Sequence, residues 1–205
     1  MVARRSFVLG VVASVLVATT GSAAVGTRVA VLVDTSQGTA ASMTFLRSAV
    51  ASLITGLPEG TEVLLATTGR RLQVRVPPTI DRRKAADSAA AMTSDGGATV
   101  LMDGLLEVDE RFMRTASDRT SVFVIVTSDG SESSRTDPDA FNAWLRTLPP
   151  RGVVAHAVVL KSGNGVPEVV ANAIAQATGG RCETIGNAGL LKEKMDALSG
   201  RLAVK

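Results

Sequence analysis

Tyrosine is absent from this 205-residue chain, and tryptophan, histidine and cysteine occur once each. With aromatics at 3%, the chain argues against surfaces on which sugars or bases stack. The apolar 45% must therefore build its core from Val, Leu, Ile and Ala. One thiol, Cys182, excludes an internal disulfide, so stability rests on a single hydrophobic core, which this length permits. The lone imidazole, His156, lies in the apolar run Val153–Leu160 and reads as a hydrogen-bonded core or edge residue rather than a catalyst. No Gly-x-Ser-x-Gly elbow and no lysine-bearing phosphate loop is present. Basic blocks are short, with Arg82-Arg83-Lys84 reading as a solvated helix face. The formal charge of +3 falls to +1 once Arg4 and Arg5 are set aside with the leader described next. Neither a nucleic-acid partner nor a small-molecule cofactor is expected.

Residues 1–24 have the layout of a secretory signal peptide. Arg4 and Arg5 make a positive start, Phe7 to Ala18 is apolar, and Ser22-Ala23-Ala24 offers a small-residue cleavage site. The apolar stretch is shorter than the roughly 20 residues of a spanning helix. Arg4-Arg5-Ser6-Phe7-Val8-Leu9 also matches a twin-arginine signal, and an uncleaved anchor stays open. The expected localisation is secreted or periplasmic, with residues 25–205 as one domain.

Past the leader, apolar strands alternate with helical patterns, the signature of βαβ units around a parallel sheet. Strands are expected at Val29–Val33, Glu62–Thr67, Leu72–Val76, Val122–Val126, Val153–Leu160 and Cys182–Ile185. Gly69-Arg70 reverses the chain, making Leu72–Val76 an antiparallel edge strand closed by Pro77-Pro78. Helices are expected at Thr39–Thr55, Asp81–Met92, Thr99–Met113, Asp137–Leu148, Pro167–Thr178 and Leu190–Leu202. The fold class is a three-layer α/β/α sandwich with a mostly parallel sheet.

Two uninterrupted apolar strands end in acids, Val29–Val33 in Asp34 and Val122–Val126 in Thr127-Ser128-Asp129. Ligands of open α/β sheets bind outside the carboxyl ends of the strands. If the two strands are neighbours, like charges about 5 Å apart at an effective dielectric near 20 repel by roughly 3 kcal/mol. A proton, a basic side chain or a cation must offset that. Ser36 and Thr99 add hydroxyls, and carboxylates with hydroxyls suit Mg2+, Mn2+ or Ca2+ rather than zinc.

These residues resemble the von Willebrand factor type A domain and its metal-ion-dependent adhesion site. Asp34-Thr35-Ser36-Gln37-Gly38 looks like that family's Asp-x-Ser-x-Ser, with Gly38 in place of the second Ser. Gly96-Gly97-Ala98-Thr99 looks like its Gly-Gly-Thr loop with an inserted Ala, and Thr127-Ser128-Asp129-Gly130 like its Thr-Asp-Gly, one residue longer. The resemblance covers about Arg28 to Lys205. It implies a divalent cation held by Asp34, Ser36, Thr99 and Asp129. It also implies a partner protein whose acidic side chain completes the coordination, and a rim of Gln37, Gly38, Ser131 and Glu132. The function expected is recognition, not catalysis.

Each piece alone has a plainer reading. Asp34 suits a cap or Asx-turn, Asp129-Gly130 a turn, Thr99 a helix N-cap, and Asp103 a first-turn acid favouring the helix dipole. Only their conjunction at one sheet edge makes a site. Two other functions stay open: the same scaffold with a decayed ion site, and a hydrolase using Ser36 or a metal-activated water.

Overall fold

The computed structural model describes residues 26–116, 118–160 and 165–203. The expected leader, residues 1–24, lies outside the described residues. Six strands form one sheet: β1 (Gly26–Val33), β2 (Glu62–Thr68), β3 (Leu72–Thr79), β4 (Arg119–Ser128), β5 (Val154–Leu160) and β6 (Cys182–Ile185). Their order is β3-β2-β1-β4-β5-β6, parallel throughout except for the β2–β3 edge pair. The expected sandwich with one antiparallel edge is the fold observed.

Strand residues alternate between two cores. Val29, Val31 and Val33 face one side, against helices α1 (Met43–Gly56), α2 (Arg82–Ala90) and α6 (Leu191–Ala203). Ala30 and Leu32 face the other, against α3 (Leu101–Val108), α4 (Pro138–Leu145) and α5 (Val166–Ala177). Both faces of β1 are dry, so every residue from Val29 to Val33 is apolar.

Local chemistry sets several ends. Asp81 caps α2 by accepting from the Lys84 amide at 3.0 Å, and Asp137 caps α4 by accepting from Ala140 at 2.9 Å. Three expectations need correcting. The helix expected from Thr39 begins as a 3-10 segment, Gln37–Ser42, and is α-helical only from Met43. There the Thr39 hydroxyl donates back to the Asp34 and Ser36 carbonyls, at 2.8 and 3.1 Å, tightening the turn. The helix expected through Met113 stops at Val108 and passes into a π-helical turn, Asp109–Met113. The strand expected to close before Pro77 continues through both prolines to Thr79, which an edge strand tolerates because one side of its ladder is unpaired.

The strand order reverses between β1 and β4: the chain leaves β1 toward β2 and β3, then returns to β1's other side. That is the topological switch point, where the crevice of such sheets opens.

Candidate functional site at the carboxyl ends of the strands

β1 and β4 deliver their acids side by side. Val33 pairs with Val126, and the Asp34 amide donates to the Val126 carbonyl at 2.8 Å. The Asp129 amide donates to the Leu160 carbonyl at 3.2 Å, holding that residue against the end of β5. Asp34 is fully buried and Asp129 nearly so. Asp34 Oδ1 accepts from the Ser36 amide at 2.8 Å. Oδ2 accepts from Thr127 Oγ1 at 3.0 Å and from the amide and hydroxyl of Ser128, both at 3.4 Å. These four donors are all neutral. Asp34 forms no ion pair with any described residue.

Ser36 is buried beside it. Among the described residues, its Oγ is the one buried side-chain nitrogen or oxygen without a hydrogen-bond partner. Buried polar atoms are paired in the great majority of cases, so an orphan here marks a place for a ligand atom.

Thr99 lies on the third loop and is fully buried. Its hydroxyl donates to the Thr68 carbonyl and sits 3.1 Å from Thr68 Oγ1. It caps nothing: the residue preceding α3 is Val100, without a side-chain cap. The cap comes from the neighbouring loop, where Glu132 accepts from the Leu101 amide at 3.1 Å and Ser134 Oγ from the Asp103 amide at 3.0 Å. Donating its proton to Thr68 leaves the Thr99 oxygen with lone pairs only.

Backbone bonds stitch the three loops together. The Gln37 amide reaches the Gly97 carbonyl and the Asp95 amide the Thr35 carbonyl, each at 3.0 Å. The Thr99 amide reaches Ser131 O at 2.9 Å, and the Ser133 amide returns to Thr99 O at 2.8 Å. Gly96 and Gly97 both have left-handed φ, +67° and +70°, which only glycine adopts without strain.

The donor set fits a hard divalent cation: a buried carboxylate, an unpartnered hydroxyl and a second acid, with no thiol or imidazole among them. Among the described residues, no group of three or more His, Cys, Asp or Glu side chains gathers, so hydroxyl oxygens must supply part of any such site.

No family model matches the sequence, and no curated protein matches it either. Solved structures do match. A von Willebrand factor type A protein from Catenulispora acidiphila superposes with a TM-score of 0.74 at 16% identity, over 87% of this chain and 43% of that one. An aerotolerance-related membrane protein from Bacteroides fragilis gives 0.65 at 13% identity, over 86% of this chain and 100% of that one. Proximal thread matrix protein 1 from the mussel byssus, with zinc in its metal-ion-dependent adhesion site, gives 0.66 at 16%, over 85% and 46%. The chain has the von Willebrand factor type A fold. It spans less than half the length of the Catenulispora and mussel proteins.

Within this type A fold the expected rim divides. Gln37, Gly38 and Ser131 are exposed. Glu132 is half-buried, and its carboxylate is engaged by the Leu101 and Ser134 amides, the first of them at the α3 N-terminus. Burial raises its pKa, only partly opposed by hydrogen bonds from Ser134 and Leu101. Asp103 is structural as expected, but it braces the next loop, accepting from the Arg135 amide, the Thr136 amide and the Thr136 hydroxyl.

Three contributors escaped the sequence reading. Ser94 Oγ donates to the Thr35 and Ser36 carbonyls. Asp95 accepts from Thr35 Oγ1 at 3.3 Å and from the Arg70 amide at 3.2 Å. A Cβ at Gly69 would lie 1.8 Å from Asp95 Oδ1, so that glycine makes room for the carboxylate. Ser128 is the third. The Asp95-Gly96-Gly97 sequence was the available signal for Asp95, and Ser128 stood inside the Thr127-Ser128-Asp129-Gly130 motif without a role; Ser94 carried none.

The lone His156 pairs in mid-sheet with Val124, while Ser36 lies beyond the strand ends. Its Nδ1 accepts from the Arg181 amide at 3.2 Å, and burial, with Arg201 and Arg181 nearby, lowers its pKa. Cys182 is half-buried and forms no disulfide; burial, then Glu168 and Glu183, push its thiol pKa up, away from the reactive thiolate.

Proposed function

We propose that this chain is an exported recognition module that binds a partner protein at the carboxyl edge of its sheet, through a divalent cation. Asp34 and Ser36 would hold the ion, with Asp129 and Thr99 at the same edge. When bound, the ion supplies positive charge and an open position for a partner's carboxylate. The chain's own residues do the rest: the Asx-turn at Asp34 presents Ser36, and the Thr68 carbonyl accepts the hydrogen bond of the Thr99 hydroxyl, leaving its lone pairs free. Gln37, Gly38 and Ser131 form the surface that meets the partner.

One observation carries this reading. Asp34 is completely buried, and its described partners are all neutral. Burying a carboxylate costs several kcal/mol unless a counter-charge is supplied. Catalysis is not part of the proposal, because the only imidazole sits within the sheet. Export rests on the sequence pattern of residues 1–24.

A second reading has its own support: four hydrogen bonds already satisfy much of the Asp34 carboxylate, and Gly38 brings no hydroxyl. A type A scaffold that binds its partner without an ion is consistent with both. Calorimetric titration with Mg2+, Mn2+, Ca2+ and Zn2+ separates the two. Binding lost in Asp34→Ala supports the ion. An absence of heat with every ion sinks it and leaves the scaffold. A pull-down from the export compartment, with and without chelator, then reads the partner.

A further inference from the structure

Gly38 and Ser128 are two halves of one arrangement. Gly38 stands where the resemblance places the second hydroxyl of the first loop. Its φ is not left-handed, so the backbone itself does not call for glycine. What excludes a side chain is Ser128: a Cβ at position 38 would lie 2.3 Å from Ser128 Oγ and 3.3 Å from Gly130 Cα. Ser128 directly precedes Asp129 in the Thr-Ser-Asp-Gly segment. It is 1% exposed, its Oγ is 3.4 Å from Asp34 Oδ2, and it accepts from the Gly130 amide at 3.2 Å. The space a side chain at 38 would take holds the Ser128 hydroxyl instead.

We propose that Ser128 supplies the hydroxyl ligand that position 38 lacks, so the cation site of this chain is complete through an exchange between the loops that follow β1 and β4. This rests on the ion-binding reading above. The exchange makes a definite steric statement. A side chain at 38 clashes with Ser128 Oγ as it is placed, so the hydroxyl must leave Asp34 and the Gly130 amide, but serine at 38 is accommodated once Ser128 is shortened. The Ser128 Cβ would lie 3.4 Å from the new Cβ, an ordinary contact, and the Gly130 Cα needs to yield only a few tenths of an ångström.

The test is Mg2+ and Mn2+ affinity by calorimetry, with melting temperature alongside, for the wild-type chain, Ser128→Ala, Gly38→Ser, the Gly38→Ser/Ser128→Ala double variant and Asp34→Ala. Ser128→Ala should weaken the ion about tenfold or more. Gly38→Ser alone should lower the melting temperature through the clash. The double variant should regain both the stability and the ion affinity that the single variants lose. Ser128→Cys should gain cadmium affinity relative to magnesium, because a thiol that touches the ion prefers the softer metal. Ser128→Ala binding as tightly as wild type, or a double variant no tighter than Ser128→Ala, overturns the exchange while leaving the ion in place. Wild type and Asp34→Ala responding alike overturns the ion reading itself, and the exchange with it.

Discussion

Two aspartates are fully buried in this domain, at opposite ends of the sheet, and they are treated in opposite ways. Asp109, in the π-helical turn near the amino ends of β4 and β5, is met by cations. Arg151 binds both its oxygens, at 2.8 and 2.6 Å, Arg114 donates at 3.1 Å and Trp144 Nε1 at 2.9 Å. Burial alone would raise its pKa, but the hydrogen bonds from Arg151, Trp144 and Arg114 outweigh that and hold it below the usual carboxylate range. Asp34, at the carboxyl ends, has neutral donors only. One end of the sheet closes its own charge balance. At the other, the Asp34 charge meets only neutral donors among the described residues. The first arrangement holds the fold together, and the second is the one on which the proposed ion site rests.

The sharpest way to break the comparison is at the structural end. Asp109→Ala strands two guanidinium groups and an indole N–H, and should cost about 3–5 kcal/mol in urea unfolding, with ion affinity unchanged. The same residue sets an acid limit. Its folded pKa lies below that of a free aspartate, so its contribution is fully present above the free value and is lost as pH falls through the folded one. Stability measured from pH 6 down to pH 2 should fall across that window in the wild type, with a smaller slope in Asp109→Asn.

At the binding edge, Gly165→Ala comes next. The new Cβ would lie 2.0 Å from the Asp129 carbonyl, a backbone atom with nowhere to go. It should cost about 1–3 kcal/mol and weaken ion binding by displacing Asp129. A gain or no change in melting temperature would contradict that packing.

Smaller still is Glu132→Ala, which removes the cap of α3 and should cost about 0.5–2 kcal/mol. Because burial raises the Glu132 pKa, the folded state favours its protonated form. That contribution is complete below the unfolded value and fades as pH rises through the folded one, opposite in sign to Asp109. Glu132→Gln should flatten this trend in chemical unfolding between pH 4 and pH 7.

Much of the fold was legible because its signals are local. Runs such as Val29–Val33 and Val122–Val126 announce strands dry on both faces, and Asp81 and Asp137 announce helix starts. Gly69-Arg70 announced the antiparallel edge. The convergence of Asp34, Ser36, Thr99 and Asp129 on one edge could be read from motif order and strand context. What was not legible depends on partners distant in sequence. Nothing beside Asp109 reveals that Arg151 and Trp144 will reach it, so the π-turn there was read as helix. Thr99 precedes a helix and looks like its cap, but Glu132 and Ser134 take that role from another loop. Gly38 read as a lost ligand, because the hydroxyl occupying its space arrives from position 128, ninety residues later.

The central claim is that Asp34 awaits a positive charge. The direct measurement is thermal unfolding of the wild type and Asp34→Asn, each in chelator and in millimolar Mg2+ or Mn2+. The account predicts that Asp34→Asn is at least as stable as wild type in chelator, because a buried charge without a cation has been removed. It also predicts that the ion raises the wild-type melting temperature and leaves that of Asp34→Asn unmoved. An Asp34→Asn variant that is strongly destabilised in chelator, together with a wild type indifferent to the ion, would show that the carboxylate is a structural acceptor and nothing more.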